Sequence, residues 1–488
     1  MSFWGSMKNP SSMKVSTTNC WTTSRVVNTK FRPLTPLTKI CEMSRIDVSR
    51  LPVDPGPAAW NELLPDAAPA QSVEGKQTAD WIIIGAGFAG LAAARRLSQL
   101  CPTDRIVILE ARRVAEGPAG RNSGFMIDLP HDLSSSDYGG AREKDHVLTA
   151  DNRHAIAFAS EMADDFGLGE EIFSKCGKIN GAATAKGVAH NREYAAHLAS
   201  IGEPSDMLDA QSMKELTGAD YYLGGLYTAG TAIIQPAAFV RGVAKGLSSD
   251  RVKIFEDSPV TGLQRCGDWT ATTDAGKVTA PKVILAVNGH LDSFGFFKNQ
   301  LMHVFTYASM TRPLAHEEMA RLGGKRIWGI TPADPMGTTV RRISSQDGDR
   351  IVVRNRFTFD PSMEVTALRI ARVAKDHDRA FTARFPMLVG VDMQYRWGGR
   401  LCLSRNNVSV VREVDQGLYA ACCQNGLGTT RGTLGGMLAA ELATNTKSDR
   451  LDRMLAEAEP TKLPPRLITN FGAPAYLKFQ EMKAGGEL

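Results

Sequence analysis

Cysteine and long apolar runs are both scarce in this chain. The 488 residues include eight cysteines, and no two of them form a C-x-x-C pair. A zinc ribbon and a thioredoxin-type redox motif are therefore excluded, and the sparse cysteines favour a reducing compartment. The adjacent Cys422 and Cys423 lie in an apolar run, where we expect buried free thiols. No apolar stretch reaches the roughly 18–20 residues of a transmembrane helix, so no membrane span is predicted.

Two common kinds of catalytic site also lack support. A serine hydrolase of the G-x-S-x-G type has no motif to anchor it. The nine histidines do not show the spacing of metal ligands, so no metal is predicted. Neither nucleophilic hydrolysis nor metal catalysis is indicated.

The net charge of +5 belongs to one end of the chain. Residues 1–41 hold six Lys or Arg, 13 Ser or Thr and no acidic residue. The remaining residues carry 51 basic and 52 acidic side chains, a net charge of −1. A near-neutral body without a basic stripe gives no support to nucleic-acid binding.

The basic N-terminal segment has the composition of an organellar transit peptide. Pro33 and Pro36 argue against an amphipathic helix there, so a disordered extension, or a true start at Met43, is the alternative. We therefore expect a cytoplasmic protein, or an organellar one if residues 1–41 are a transit peptide.

A dinucleotide-binding fingerprint begins at residue 80. The apolar run 80–84 is typical of a buried parallel strand and is followed at once by the G-x-G-x-x-G turn 85–90. A helix-forming run, 91–97, comes next, and a second strand, 105–110, ends in an acid. This order of strand, glycines, helix, strand and acid is a strong indication of a dinucleotide site.

Each residue of the fingerprint has a physical role. Gly85 permits the tight turn, Gly87 lets the backbone approach a pyrophosphate, and Gly90 lets the helix pack on the strand. Glu110 would accept hydrogen bonds from the ribose hydroxyls, and an acid there argues against NADP. The motif alone does not separate FAD from NAD.

The loop after the ribose acid carries a family resemblance. Residues 117–124 read G-P-A-G-R-N-S-G, which is similar to the G-A-S-G-R-N-G-G loop of the FAD-dependent D-amino-acid oxidase superfamily, the group of glycine and sarcosine oxidases. The likeness is greatest to its γ-glutamylputrescine oxidoreductase-type members. Pro118 and Ser123 depart from the family pattern.

Later blocks of the chain extend the resemblance over roughly residues 80–445. Gln235-Pro236 resembles the family's His-Pro helix start, and Val260 takes the position whose backbone contacts the adenine. Residues 278–289 resemble a strand that ends in an A-T-G turn, with Val287-Asn288 at its centre. Residues 397–400 and 418–428 resemble the closing W-G-G and G-x-N-G-x-G signatures.

The resemblance implies FAD as the cofactor. The residues that would bind it are Gly85, Gly87, Phe88, Ala89, Gly90, Glu110, Ala111, Arg112, Gly120, Arg121, Asn122, Ser123, Gly124, Val260, Ala286, Asn288, Gly289, Asn425, Gly426, Leu427, Gly428 and Thr429.

The expected fold is α/β, a Rossmann-type FAD-binding domain with an inserted antiparallel-sheet substrate domain. The domain organisation that we predict is an N-terminal arm, disordered or wrapping, over 1–78; a discontinuous FAD-binding domain over 79–140, 229–295 and 401–445; a substrate domain over 141–228 and 296–400; and a C-terminal extension over 446–488.

Substrate-site candidates are fewer and weaker. Arg342 lies on a strand where amino-acid-oxidising relatives often place a carboxylate-binding arginine, although a solvated strand arginine is the alternative. His303 and Tyr307, four residues apart on one strand, would share a face near the flavin, unless they form a core pair. His131, after the flavin loop, is a further candidate. Arg354 and Arg356 are expected on one strand face, as a mark either of an anionic substrate or of a surface pair.

The function that the resemblance implies is FAD-dependent oxidation of an amine or amino acid to an imine, which water then hydrolyses. Its partners would be that small-molecule substrate and O₂ or another electron acceptor. One alternative is a flavin monooxygenase-like enzyme, although Gln424-Asn425-Gly426 stands where such enzymes carry a Gly-Asp motif. The other alternative is a non-catalytic FAD-binding module.

Overall fold

The computed structural model describes residues 44–130, 142–345 and 347–488. The basic segment 1–41, Met43 and His131 lie outside the described residues.

The strands are β1 Ser44–Asp47, β2 Gly75–Thr78, β3 Trp81–Ile84, β4 Ile106–Leu109, β5 Phe125–Met126, β6 Phe173–Ser174, β7 Lys178–Ala182, β8 Asp206–Asp209, β9 Gly224–Thr228, β10 Ala232–Ile234, β11 Val252–Phe255, β12 Gly262–Cys266, β13 Asp268–Thr272, β14 Gly276–Ala280, β15 Lys282–Leu285, β16 Leu301–Thr311, β17 Trp328–Pro332, β18 Thr339–Ser345, β19 Gly348–Phe359, β20 Met393–Ser404, β21 Val410–Asp415 and β22 Leu418–Cys422. The α-helices are α1 Ala59–Glu62, α2 Phe88–Leu100, α3 Arg142–Asp165, α4 Ala185–Ser200, α5 Ala210–Thr217, α6 Pro236–Leu247, α7 His316–Leu322, α8 Ala367–Arg384, α9 Thr430–Ala443, α10 Asp449–Ala456 and α11 Arg466–Ala484.

A six-stranded sheet carries the fingerprint, in the order β11-β4-β3-β15-β22-β21. Its strands are parallel except for the edge strand β21. Every residue of β3 and β4 is buried, which explains their uninterrupted apolar sequences. Helices α2 and α9 pack against each other beside this sheet. This is the Rossmann-type arrangement that the sequence predicts, and its ligand site is expected at the carboxyl ends of the strands.

An eight-stranded sheet forms the second half, in the order β20-β16-β19-β18-β17-β7-β9-β8. Its pairs are antiparallel except β17 with β7, so the predicted antiparallel sheet is found with one parallel step. Helix α8 covers it through buried Ile370, Val373 and Phe381, at the spacing of one helix face.

A β-bulge at Arg356 changes which side chains share a face of this sheet. Thr306 lies opposite Phe357 and Tyr307 opposite Asn355, so Arg356 is an extra residue, with φ 61°. Arg356 pairs with Asp376 of α8 and with Glu481 of α11, whereas Arg354 borders the central cavity. The prediction that Arg354 and Arg356 share one face is therefore wrong, because the inserted residue reverses the alternation of a regular strand.

The described part of the N-terminal arm, residues 44–78, follows the surface of the body and adds two edge strands to it. In the five-stranded sheet β1-β12-β13-β14-β2, β1 pairs with β12 and β2 pairs with β14. Between these strands the chain passes the cavity and reaches Trp60, which is fully buried. Residues 44–78 are thus attached to the body through β1, β2 and Trp60.

Candidate functional site

A deep cavity lies between the two large sheets. On one side are the turns at the carboxyl ends of β3, β4 and β15, represented by Gly85, Glu110 and Ala286. On the other side are residues of the eight-stranded sheet, among them Arg354 and Trp397. The site is thus at the edge of the parallel sheet where a dinucleotide is expected.

The fingerprint glycines divide into two roles. Gly85 has φ +102°, and a Cβ there would stand 2.7 Å from the Ala286 carbonyl oxygen. A Cβ on Gly90 would collide with the Gly85 carbonyl, so this glycine allows close packing of α2. Gly87 differs, because a Cβ there would meet only the Ala119 methyl, at 3.5 Å. The protein itself leaves this space open, as a pyrophosphate-binding turn requires.

Glu110 closes the other side of this turn. Its carboxylate accepts hydrogen bonds from the Ala86 N–H at 2.7 Å and the Arg112 N–H at 3.2 Å. Burial raises the pKa of Glu110 to about 7, and the negative charge of Asp54 contributes in the same direction. A ligand that donates hydroxyl hydrogen bonds would stabilise the ionised form.

The loop after Glu110 is held by its own backbone contacts. Asn122 donates from Nδ2 to the Ala119 carbonyl at 2.7 Å and accepts at Oδ1 from the Gly124 N–H at 2.8 Å. Buried Arg121 donates to the carbonyls of Glu116, at 2.6 Å, and of Gly398, at 3.3 Å. The loop is therefore tied to β20 as well as to itself.

The closing loop between β22 and α9 is pinned by Asn425. Its Oδ1 accepts from the Ser404 N–H at 2.7 Å, and its Nδ2 donates to the Val408 carbonyl at 2.8 Å. These contacts place Gly426 and Gly428 on the cavity, immediately before the N-terminus of α9. A helix N-terminus in this position favours an anionic ligand.

Most of the predicted cofactor residues border the cavity. They are Gly85, Gly87, Phe88, Ala89, Glu110, Ala111, Arg112, Arg121, Asn122, Ser123, Val260, Ala286, Asn288, Gly289, Gly426, Gly428 and Thr429. The five that do not border it, and that position its walls instead, are Gly90, Gly120, Gly124, Asn425 and Leu427. Gly124, for example, has φ +77° and leaves no room for a Cβ beside the Arg341 guanidinium.

The substrate-site predictions fare less well. Arg342 lies outside the cavity lining, buried in an ion pair with Asp349 at 2.9 Å. The proposed carboxylate-binding role of Arg342 is therefore wrong, because its guanidinium is already used within the sheet. His303 is also outside the lining, with Nε2 3.1 Å from Asp292 Oδ2.

Tyr307 borders the cavity, but its side chain belongs to the packing under α8. The ring lies in a cluster with Ile370 and Val373, and the hydroxyl is 2.6 Å from Thr358 Oγ1. Burial raises the pKa of Tyr307 to about 12. His303 and Tyr307 thus have separate partners, and neither is aimed into the cavity as an acid or base.

Sequence reasoning missed three residues that border the cavity, Asp54, His290 and Arg400. It named Arg354 but left open whether that residue marks an anionic substrate or a surface pair. Arg400 completes the W-G-G-R block, and His290 directly follows the A-V-N-G turn, so both stood beside recognised motifs. His290 is buried, its Nδ1 is 3.2 Å from Ser293 Oγ, and its Nε2 has no hydrogen-bond partner in the described chain. Burial, aided by the charge of Arg400, lowers the pKa of His290 to about 2, so the imidazole is neutral.

Within the described residues, no group of His, Cys, Asp or Glu side chains could hold a metal ion. No helix of the same ranges is both long enough and apolar enough to cross a bilayer.

The residues at the cavity fit FAD. An open glycine turn, an acid with a raised pKa beside it and a helix N-terminus on the closing loop suit the pyrophosphate and sugar of a dinucleotide. The space then continues to the eight-stranded sheet, where a flavin would meet a substrate.

Comparisons with known proteins agree with this geometry. The family model described as FAD dependent oxidoreductase (DAO) matches residues 80–442. "Probable oxidoreductase OrdL" of Haemophilus influenzae is 25% identical over 381 residues, covering 74% of this chain and 82% of the relative. γ-Glutamylputrescine oxidoreductase of Escherichia coli strain K12 is 24% identical over 383 residues, covering 77% of this chain and 86% of the relative. The crystal structure of glycine oxidase from Geobacillus kaustophilus superposes with a TM-score of 0.64 at 16% identity, covering 80% of this chain and all of that one. The chain therefore belongs to the family of FAD-dependent oxidoreductases and is an enzyme with FAD as its cofactor.

Proposed function

We propose that this enzyme oxidises the C–N bond of a carboxylate-bearing amine, an amino acid or an N-substituted amino acid, to an imine. Water would then hydrolyse the imine to a carbonyl compound and a free amine. O₂ or another acceptor would take the two electrons. The observation that carries the proposal is that Arg354, a cationic residue of the eight-stranded sheet, borders the same cavity as the fingerprint turn.

The position of FAD in the cavity is part of the proposal. The turn at Gly85–Gly87 and the carboxylate of Glu110 would hold the pyrophosphate and the adenosine ribose. The closing loop at Gly426–Thr429 would meet the other half of the cofactor. FAD, when bound there, supplies a two-electron acceptor for the C–H bond next to the substrate nitrogen.

Arg354 would bind the substrate carboxylate. It lies on β19 between Ala308 of β16 and Thr339 of β18. It borders both the main cavity and a small adjoining chamber that Thr331 and Thr339 also line. Its guanidinium lies 4.6 Å from the centroid of the Phe357 ring, and a planar guanidinium matches a carboxylate bidentately.

Arg400 is a second cationic group on the cavity. It donates to the Met363 carbonyl at 3.1 Å, and its guanidinium is 3.8 Å from the buried Asp54 carboxylate. We assign the substrate carboxylate to Arg354 because Arg354 borders both the main cavity and the adjoining chamber, whereas Arg400 borders only the main cavity.

His290 would contact the reacting end of the substrate. Its neutral imidazole stays uncharged over the working pH range, and Nε2 offers one hydrogen-bonding position without an internal partner in the described chain. A neutral imidazole can orient an uncharged amine, the form that can donate a hydride, without adding charge to the site.

The names of the related proteins support a C–N substrate, since γ-glutamylputrescine oxidoreductase and glycine oxidase are both named for amine or amino-acid substrates. A monooxygenase-like reaction is the alternative, and it would consume NADPH together with O₂.

The test is anaerobic bleaching of the bound flavin with a panel of amino acids, N-substituted amino acids and amines that lack a carboxylate, followed by admission of oxygen. We expect bleaching by carboxylated amines and no NADPH requirement. Arg354→Ala should raise KM for such a substrate at least about tenfold, the value of a charge-assisted hydrogen bond, and should change KM little for an uncharged analogue. Arg379→Ala is the matched control, since Arg379 is an exposed cation of α8. Equal effects of Arg354→Ala on both substrates would remove its role, and a panel that leaves the flavin oxidised would contradict the C–N reaction.

A further inference from the structure

The segment from Val48 to Trp60, here called the N-terminal strap, precedes the residues that the family model matches and yet borders the cavity. It follows β1 directly, and its Val48 N–H donates to the Thr261 carbonyl at 3.0 Å. At its far end the Trp60 indole N–H donates to the Asn122 carbonyl at 2.9 Å. Both ends are therefore fastened beside predicted cofactor residues.

Between these ends the strap is stiff. Pro52, Pro55 and Pro57 fix φ at alternate or near-alternate positions and force the residues before them to be extended. Residues 48–58 of the strap form neither a helix nor a strand. Its cavity-bordering residues are Val48, Arg50, Leu51, Pro52 and Asp54. The strap thus forms one wall of the site, and its prolines restrict the conformations of its backbone.

Asp54 brings a buried carboxylate to that wall. Its side chain is 5% exposed, and within the described chain neither carboxylate oxygen has a hydrogen-bond partner. The nearest cations are Arg121, with Nε at 3.9 Å, and Arg400, with Nη2 at 3.8 Å. Both distances are too long for hydrogen bonds. Buried acceptors without donors are rare and costly, so a hydrogen-bond donor on a ligand in this cavity would stabilise the carboxylate.

We propose that Asp54 is a cofactor-binding residue whose carboxylate accepts hydrogen bonds from hydroxyl groups of FAD, with the strap closing the cofactor site over it. Among the polar groups of the cofactor's sugar-phosphate chain, the phosphates carry no donors, whereas the ribose and the ribityl chain both carry alcohol groups. Asp54 Oδ2 lies 4.0 Å from the position of a Cβ on Gly117, in the loop that follows Glu110. The carboxylate is therefore beside the predicted cofactor loop. This inference rests on the proposed position of FAD in the cavity.

Two other roles for Asp54 make different predictions. If it only balances the charges of Arg121 and Arg400, its negative charge near the phosphates would weaken FAD binding, and removing that charge would strengthen it. If it binds the substrate ammonium, its removal would change KM and leave the affinity for FAD unaltered.

The test is titration of the apoprotein of Asp54→Asn with FAD and, separately, with ADP. Asp47→Asn is the matched control, because Asp47 belongs to the same arm but is 74% exposed and outside the cavity lining. We expect the Kd for FAD to rise at least about tenfold in Asp54→Asn and to stay constant in Asp47→Asn. A parallel loss of ADP affinity would assign the ribose hydroxyls, and a loss with FAD alone would assign the ribityl hydroxyls. Unchanged or tighter FAD binding would overturn the proposal.

A second variant tests the strap if the melting temperature shows that Asp54→Asn does not fold. Pro52→Gly loosens the strap without touching a charge, and we expect FAD to dissociate several-fold faster from it. An unchanged dissociation rate would overturn strap closure. If the wild-type apoprotein binds FAD but Gly87→Val binds it equally well, the position of FAD in the cavity is at fault and not the role of Asp54.

Discussion

The raised pKa of Glu110 predicts that FAD affinity depends on pH. In the apoprotein this carboxyl titrates at about 7, from an ordinary value of 4.5, because it is buried. A carboxylate that accepts hydrogen bonds from the ribose must be ionised, so bound FAD is expected to lower the pKa of Glu110. Binding below pH 7 therefore requires the release of a proton, and acid should weaken binding.

The magnitude follows from linkage. With an apoprotein pKa of about 7 and a much lower value in the complex, the Kd for FAD should rise roughly 50-fold between pH 7 and pH 5. At pH 6, roughly 0.9 proton should be released for each FAD bound. The apoprotein alone should behave in the opposite sense. Its Glu110 contribution to stability, of order 3 kcal/mol, is fully present below about pH 4.5 and is lost as the pH rises through about 7.

Calorimetric titration with FAD in buffers of different ionisation enthalpy measures both the affinity and the proton count. Glu110→Gln should bind FAD more weakly at pH 8 and show little dependence on pH. Glu74→Gln is the control, because Glu74 is an exposed carboxylate of the N-terminal arm. Its Kd for FAD should depend on pH as in the wild type. A Kd that does not change between pH 5 and pH 7, or a slope that persists in Glu110→Gln, would refute the assignment.

Three variants separate binding from folding. Gly87→Val should abolish FAD binding while the apoprotein keeps its melting temperature, because a Cβ at Gly87 meets nothing closer than 3.5 Å in the protein. Gly90→Val should lower the melting temperature of the apoprotein, because its Cβ would strike the Gly85 carbonyl. Equal effects of the two substitutions would contradict the division of the glycines into a binding role and a packing role. Arg342→Ala should lower the free energy of unfolding by roughly 3 kcal/mol in denaturant titration, because it leaves the fully buried Asp349 with fewer partners. A change in substrate KM at unchanged stability would instead support a substrate-binding role for Arg342.

Local interactions explain which parts of the site were predictable. The turn at Gly85–Gly90 and the acid at Glu110 lie within one strand–helix–strand unit, so their roles depend on spacing that can be read along the chain. The antiparallel sheet of the substrate half was part of the expected fold. Its face assignment could not be predicted, because the bulge at Arg356 places an arginine at φ 61°, a conformation that arginine rarely adopts and that no neighbouring residue announces.

The failure at Arg342 has a different physical cause. Asp349 is buried and pairs with both Arg342 and Arg326. Whether a strand arginine faces a ligand or an internal carboxylate is decided by contacts across the sheet, and spacing along one strand carries no information about them. Arg354 lies two residues before the bulge. The side of the sheet on which its side chain lies depends on the register of three strands, which spacing along one strand does not reveal either.

The strap was the hardest segment to predict, because its conformation is fixed by contacts with the rest of the protein and not by its own sequence pattern. A segment with Pro52, Pro55 and Pro57 has neither helical nor strand periodicity, which is also the composition of a linker. What gives it a defined path is the docking of each end, through β1 on β12 and through the indole of Trp60 on the loop that follows Glu110. Between its ends the strap is also held at Gly56, whose carbonyl accepts from Arg121, so it cannot move away from the cavity unless these contacts break. Exchange of FAD in this enzyme should therefore be governed by opening of the strap, and Asp54 would make the bound cofactor a further point of attachment.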